Sequence, residues 1–374
     1  MFSSTDTKLM HRACKLARRG EGFVEPNPMV GAVVADSDGT VLGEGWHKCF
    51  GSAHAEVHAL AMAGEAARGA TLFVTLEPCC HTGKTPPCTD AILSAGIRRV
   101  VVAATDPFAA VAGKSISLLQ KAGLQVDVGL LQQEATRLTA PFRMLTMSKR
   151  PWMIAKWAMT IDGYLALPRP SVDGSGESHK NQWISSGVSR AIVHDLRRRV
   201  DAIVVGVKTA LTDDPLLTAR PSGARPLVRV VLDRQARLPV NSRLVQTSHE
   251  HPVLVAVGPQ AAKDQVEKLQ DNGCEIWHSS TDQSSQMLLE LAREFGSRQM
   301  TNVLVEGGAQ VLESYFQADI IDEVWAFLAP KLLDAHAPSL RLREVLSSIT
   351  IEAIDQTGGD LFVRGLRQHH SLGR

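Results

Sequence analysis

The chain has 374 residues, which is long for a single hydrophobic core and points to two or three domains. Its 40 basic and 39 acidic residues leave a net charge of +1, and aromatic residues make up only 5%. That balance argues against the basic, aromatic-lined groove of a nucleic-acid binder and against broad attraction to a membrane surface. Six cysteines over this length do not make a disulfide framework, the amino terminus lacks a signal-peptide pattern, and no apolar run approaches about 18 residues. A reducing, cytoplasmic setting is the expectation.

From Thr5 or Asp6, either a good N-cap, Leu9, Ala13, Leu16 and Ala17 recur at helical spacing until Gly20 ends the run. Pro26-Asn27-Pro28 then opens a strand over 29–35, and Asp36-Ser37-Asp38-Gly39 turns it into a second strand through Gly43 and Gly45. Asn27 and His47 stand where such a hairpin meets a site, although each also suits an ordinary turn. Ser52 can cap a following helix that carries His54, Glu56 and the apolar Val57, Leu60 and Ala61. His54 and Glu56 are two apart, about 200° of helical rotation. Only in the first turn, at the helix start, can both serve one centre.

A strand over 70–76 leads into Pro78-Cys79-Cys80-His81-Thr82-Gly83-Lys84-Thr85-Pro86-Pro87-Cys88. Catalytic zinc takes three nitrogen and thiolate ligands and leaves a fourth position for water; His54, Cys79 and Cys88 supply such a set. Glu56, a carboxylate outside the ligand set, is placed to shuttle protons. H-x-E followed by P-C…C is the pattern of zinc nucleobase deaminases, in which the activated water displaces ammonia from an amidine-like ring carbon. Here residues 80–87 separate the cysteines, a Gly- and Pro-rich loop wider than the usual gap, and its Lys84 can meet an anionic substrate. Two other readings stay open: buried thiols, or a closed structural zinc site with His81 as fourth ligand. His54 and His58 lie four apart as in zincin proteases, but Ala55 stands where that motif needs Glu.

Beyond the loop, a helix over 89–95, a strand over 99–104, a helix over 118–123 and a strand around Val126 alternate as in a sheet between helix layers. Asp106-Pro107 follows the 99–104 strand, at the end where α/β proteins hold ligands. A helix over 132–147 must kink or split at Pro141. The boundary is expected near Ser148, giving domains of 1–148 and 149–374.

The second half opens on an apolar strand over 151–161 interrupted by Lys156, followed by a Pro-, Ser- and Gly-rich stretch over 168–181. A helix over 187–199 ends in Arg197-Arg198-Arg199, where cations suit the helix dipole. Segments 202–207, 228–233 and 253–258 read as buried strands. Asn302-Val303-Leu304-Val305-Glu306-Gly307-Gly308-Ala309 leads into the apolar-periodic run 311–316. Strand, two glycines and helix start can cradle a phosphate, and the same pattern also makes a plain tight turn.

Taken together, the motifs resemble the bifunctional deaminase–reductase family of riboflavin biosynthesis. Asn27-Pro28-Met29-Val30-Gly31, His54-Ala55-Glu56, Glu77-Pro78-Cys79, Pro86-Pro87-Cys88 and Thr105-Asp106-Pro107 are similar to its deaminase motifs. Ala158-Met159-Thr160-Ile161-Asp162-Gly163, Trp183-Ile184-Ser185, the run from Thr209 through Asp213-Asp214-Pro215, Leu217-Thr218 and Arg220, and Glu306-Gly307-Gly308 are similar to its reductase motifs. The resemblance implies an α/β fold class: a cytidine-deaminase-like three-layer αβα domain followed by a dihydrofolate-reductase-like α/β domain. It implies Zn2+ and NADPH as cofactors and a small phosphoribosylaminopyrimidine as substrate. The first domain removes the pyrimidine amine, and the second reduces the ribosyl group of the uracil product to ribityl.

Carried over by residue, the resemblance makes His54, Cys79 and Cys88 the metal ligands and Glu56 the catalytic proton shuttle. Ala158, Trp183, Thr209, Asp213 and Gly308 line the cofactor. Asn27, His47, Lys84 and Asp106 contact substrate in the first domain; Lys156, Ser178 or, given the insertion after it, Asn181, then Arg197, Leu217, Arg220 and Glu306 contact it in the second. Three departures stand out. Phe108-Ala109 follows Asp106-Pro107 where the family continues Asn-Pro, His179 to Asn181 are inserted before Gln182-Trp183, and Arg234 follows Asp233 where a smaller polar residue is common. Arg234 is a candidate for the second phosphate of NADPH. A homo-oligomer without nucleic-acid or membrane partners is expected. The alternative keeps the zinc deaminase with another substrate and gives the second domain a non-catalytic binding role.

Overall fold

The computed structural model describes residues 2–108, 112–165, 183–332 and 347–367. The chain divides into two compact units, Met1–Arg150 and Pro151–Arg374.

In the first unit the order is α1 (Ser4–Ala17), β1 (Gly31–Ala35), β2 (Val41–Trp46), α2 (Ala55–Ala63), β3 (Thr71–Leu76), α3 (Cys88–Ser94), β4 (Arg99–Ala104), α4 (Lys114–Lys121), β5 (Gln125–Val128), α5 (Gln132–Leu138) and α6 (Ala140–Ser148). The strands form one sheet in the order β2-β1-β3-β4-β5, with β1 antiparallel to both neighbours and β3, β4 and β5 parallel. Strand alternation sorts the core into two layers. Ala32, Val34, Leu72, Val74, Val100 and Val102 pack with Ala59, Ile92 and Leu119 of α2, α3 and α4. Val33, Phe73, Val101 and Ala103 face Leu9, Met10 and Ala135 of α1 and α5. The result is the three-layer sandwich expected from the sequence, with α5 and α6 parted just before Pro141.

Helix α2 lies unusually close to β2. A Cβ added at Gly45 would come within 2.2 Å of the Ala55 carbonyl oxygen, and one at Gly43 within 2.2 Å of that of Ala59. Main chain therefore rests on main chain at the element that carries the metal motif. The helix begins differently from the sequence expectation. Its N-cap is His54, and Ser52 instead donates its hydroxyl to the Cys49 carbonyl, 2.7 Å away, closing a local turn.

The second unit contains β6 (Trp152–Thr160), α7 (Gly187–Arg197), β7 (Ala202–Gly206), α8 (Val207–Asp213), β8 (Val228–Leu232), α9 (Arg243–Gln246), β9 (Val253–Val257), α10 (Lys263–Asp271), β10 (Glu275–His278), α11 (Ser284–Ser297), β11 (Asn302–Val305), α12 (Ala309–Gln317), β12 (Glu323–Ala329), β13 (Ile349–Thr357) and β14 (Asp360–Arg367). One nine-stranded sheet runs β10-β9-β8-β7-β11-β6-β12-β14-β13, parallel from β10 to β12 and antiparallel through β14 and β13. Both faces are covered. Met153, Ala155, Val204 and Val230 pack under α11 and α12, while Ile154, Ile203, Val205 and Val231 pack under α7 and α10. Burial on both sides explains why these strands read as continuous apolar runs.

Candidate metal centre and anion site

The loop after β3, the start of α3 and the N-cap of α2 bring Cys79, Cys88 and His54 together. His54 Nδ1 lies 3.2 Å from Cys88 Sγ and 3.5 Å from Cys79 Sγ, and the Cys88 backbone N–H donates to Cys79 Sγ at 3.3 Å. All three donor atoms fall within 4.8 Å of one another, and among the described residues they form the only such cluster. One nitrogen and two thiolate-capable sulfurs are the donor set of a three-ligand zinc site. Cys80 and His81, in the same loop, stand outside the cluster. The electrostatics favour a cation. The hydrogen bond from Cys88 holds the Cys79 thiol below its ordinary range despite burial, while the same contact and burial push Cys88 up.

Glu56, in the first turn of α2, is 3% exposed, and burial raises its carboxyl above the ordinary value. Its Oε2 is buried with no hydrogen-bond partner in the protein. A buried carboxylate oxygen left free beside a ligand cluster is what a water-handling site requires. Asn27 and His47 flank it: Asn27 Nδ2 meets His47 Nε2 at 3.2 Å, His47 Nδ1 lies 3.3 Å from the Ala53 carbonyl oxygen, and the His47 and His54 rings meet edge-on at 5.4 Å. Burial lowers His47, in keeping with a neutral ring that donates to Ala53 and accepts from Asn27. Lys84 extends over the Phe50 ring, with its Nζ 3.9 Å from the centroid. Asp106 is raised by burial, with the Phe108 N–H at 2.8 Å opposing that rise.

In the second unit, β11 pairs with β6 so that Val305 lies opposite Ala155. That register sets Glu306 beside Lys156, whose Nζ is 3.6 Å from Glu306 Oε2. Arg197, from the last turn of α7, forks onto the same carboxylate: Nε donates to Oε1 at 2.8 Å and Nη2 to Oε2 at 2.9 Å. Burial alone would raise the Glu306 carboxyl, but Arg197 and Lys156 overcome it and hold the group down to about 2. A cavity of about 490 Å3 runs along α7 past Arg190, His194 and Arg220. Leu217 is buried at φ 56°, so a branched side chain sits in left-handed backbone within the loop that also carries Arg220.

Gly308 is the N-cap of α12, and Thr209 of α8 lies beside it, 3.7 Å from where a Gly308 Cβ would be. Gly307 has no alternative, since a Cβ there would meet Val311 Cβ at 2.5 Å. Asp213 closes α8, Ala158 lies in β6 two residues before its end, and Arg234 follows β8 with Nη1 donating to the Asp282 carbonyl at 3.0 Å. The exposed Trp183 ring is covered by the Arg190 guanidinium at 5.0 Å. Ser178, the insertion at His179–Asn181 and the carboxy-terminal Gln368-His369-His370 lie outside the described residues.

Sequence reasoning gave no separate role to Glu77, whose carboxylate gathers three donors at the edge of the metal centre, or to Phe50, which backs Lys84. An acidic residue just before Pro78-Cys79 was the available signal for the first; nothing local marks the second.

Residues 3–104 match the model of the cytidine and deoxycytidylate deaminase zinc-binding region, and residues 151–363 match that of the RibD C-terminal domain. The riboflavin biosynthesis protein RibD of Aquifex aeolicus is 37% identical over 369 residues, covering 97% of this chain and 99% of that protein. The chain belongs to the RibD family. The RibD of Escherichia coli K12 is 36% identical over 353 residues, 90% of each protein. Among solved structures, Acinetobacter baumannii RibD (form 1) superposes with a TM-score of 0.81 at 31% identity, covering 97% of this chain and 99% of that one. A Thermotoga maritima diaminohydroxyphosphoribosylaminopyrimidine deaminase/5-amino-6-(5-phosphoribosylamino)uracil reductase superposes with a TM-score of 0.79 at 33% identity, with the same coverage. RibD proteins pair a deaminase with a reductase, and this chain carries both parts, with its donor cluster inside the zinc-binding region. Among the described residues no helix is long and apolar enough to cross a membrane.

The ligand assignment has a direct check. Cys79→Ala should drop zinc from one ion per chain to near none by atomic emission, whereas His81→Ala should leave it bound. Loss of zinc in the His81 variant would restore the closed structural site.

Proposed function

We propose that residues 1–148 hydrolyse the pyrimidine amine of 2,5-diamino-6-(5-phosphoribosylamino)pyrimidin-4-one, and that residues 149–374 reduce the ribosyl group of the uracil product to ribityl with NADPH. The observation that carries the reading is the buried, unpartnered Glu56 Oε2 beside the His54, Cys79 and Cys88 donors, in a chain similar to RibD proteins along nearly its whole length.

Zinc held by those donors supplies a Lewis acid and a water that ionises near neutral pH. Glu56 then takes a proton at Oε2 and delivers it to the departing amine, a transfer favoured by the burial that raises its carboxyl toward neutrality. Asn27 and His47 hold the ring beside it, Asp106 faces the same pocket, and Lys84 meets the phosphate end.

In the second unit NADPH supplies the hydride. Gly308 and Thr209 receive the cofactor at the start of α12, with Ala158, Trp183 and Asp213 lining it. Arg197, Lys156 and Glu306 form a fixed charge cluster for the substrate, with Leu217, Arg220 and Ser178 completing that side. Balanced charge supports a small-molecule role over nucleic acid or membrane, and six free cysteines support a cytoplasmic setting. A homo-oligomer belongs to the same reading.

The test is one pot: zinc-loaded protein, the phosphoribosylaminopyrimidine and NADPH, with ammonia and absorbance at the nicotinamide band followed together. Ammonia release preceding NADPH oxidation supports the proposal; bound zinc with neither signal overturns it.

Arg234 at the end of β8 is placed to read the cofactor's second phosphate. Arg234→Ala should raise the KM for NADPH about tenfold, the worth of one charge-assisted hydrogen bond, and leave that for NADH unchanged. An unaltered preference between the two cofactors removes Arg234 from that role.

A further inference from the structure

We propose that Glu77 is a positioning residue for the deaminase: its carboxylate ties Asp106 to the start of α4 and so fixes Asp106 and Phe108, which the deaminase reading puts beside the substrate. The inference rests on the deaminase reading above.

Glu77 and Asp106 leave the carboxyl ends of neighbouring parallel strands, β3 and β4. The Glu77 N–H donates to the Ala104 carbonyl at 2.9 Å, which carries the ladder one residue past the strand ends and points the side chain along the edge. Glu77 is 5% exposed. Its Oε2 accepts the backbone N–H of Asp106 at 3.2 Å and that of Gly113 at 3.0 Å, while Oε1 accepts the fully buried Ser115 hydroxyl at 2.7 Å. Asp106 begins the loop, and Gly113, at φ 76°, is the N-cap of the eight-residue α4. One carboxylate therefore ties where the loop leaves the sheet to where it enters a helix.

Burial raises the Asp106 carboxyl, and the charge of His81 in the metal-binding loop is among the influences opposing that rise. Glu77 itself stands two residues before Cys79, so one rigid corner serves both the ligand and Asp106. Within the loop Phe108 donates its N–H to Asp106 Oδ1, and its ring is exposed.

A residue acting through loop placement is expected to alter substrate capture more than turnover. Glu77→Ala should raise the KM for the phosphoribosylaminopyrimidine about tenfold, with kcat for ammonia release within about threefold of the parent. Zinc should stay at one ion per chain. Glu77→Gln should recover most of the loss: its amide oxygen still accepts both N–H groups, and its NH2 can donate to Ser115 Oγ. Ser115→Ala, which removes one contact of the three, should raise KM about twofold to threefold and gives the answer if Glu77→Ala does not fold.

Unchanged KM in the folded variants overturns the proposal. Loss of zinc, or a fall in kcat at constant KM, overturns it as well, by placing Glu77 in the metal site or the chemistry. Failure of the parent protein to release ammonia from this substrate would defeat the deaminase reading instead, and the two failures are told apart by that control.

Discussion

Glu56→Gln should abolish ammonia release while keeping the metal. The substitution preserves shape and burial, and the candidate ligands His54, Cys79 and Cys88 are untouched, so zinc content by atomic emission should stay at one ion per chain. What disappears is the group that accepts and returns a proton: an amide nitrogen or oxygen at the site of Oε2 cannot do so near neutral pH. A positioned acid–base group contributes about 10²–10⁴-fold, so a loss at least that large is expected in kcat for ammonia release. In the one-pot assay NADPH oxidation should vanish with it and return when the deaminated intermediate is supplied. Persistent ammonia release would assign the proton transfer elsewhere, and oxidation that stays absent would place the damage outside the deaminase step.

The second large effect is expected at Glu306. Its carboxylate is largely buried, with 11% of the side chain exposed, accepts both arms of Arg197 and neighbours Lys156. Glu306→Gln leaves two buried cations without their anion, and breaking a buried pair in this way costs about 3–5 kcal/mol. For a unit of this size the thermal midpoint should fall by roughly 10 °C, read by calorimetry. Reductase turnover should be lost while ammonia release from the first unit persists.

The same cluster fixes an acid limit. The folded carboxyl titrates at about 2 against an ordinary 4.5. A depressed carboxyl stabilises the fold fully above its unfolded value and loses that stabilisation as pH falls through its folded one. The contribution, on the order of 3 kcal/mol, should therefore fade between about pH 4.5 and pH 2. In Glu306→Gln the pH dependence of stability across that window should flatten. A variant with the parent's acid slope would show that other carboxylates carry it.

Local signals made much of the molecule legible. Strand β4 carries the unbroken apolar run Val100 to Ala104 between Arg99 and Thr105, and it appears over the residues expected. The metal motif is readable because its donors lie on two short segments whose chemistry is specific to their spacing. Glu56 is readable because a helix start is the only place where residues two apart can share a centre. The cap of α2 was less legible: Ser52 is the better capping residue by type, but its hydroxyl bonds backward to Cys49, and His54 takes the position. Elements α8 to α11, β10 and β12 to β14 gave no reading. Helix α8 starts directly from β7 with no linker to mark it, and β13 is an edge strand whose Ile351 and Ile354 are exposed, so the usual alternation carries no inward face. Contacts between distant segments, such as the Glu77 clamp or Phe50 beneath Lys84, leave no periodic trace because one tertiary partner suffices to make them.

The bare contact between α2 and β2 has a consequence for how this enzyme can change. With hydrogen atoms alone at Gly43 and Gly45, no side chain can shrink or rearrange to absorb an error at that seam. The seam works as a gauge block: its thickness fixes how high the first turn of α2 stands and hence where the His54 nitrogen meets the two sulfurs. Drift is then directional. The outer surface of α2, where Met62 is 67% exposed, is free to diverge, whereas any added methyl beneath the helix displaces a metal ligand. Selection for new aminopyrimidines in a laboratory lineage should accumulate changes in the loops after β3 and β4 and leave both glycines unaltered.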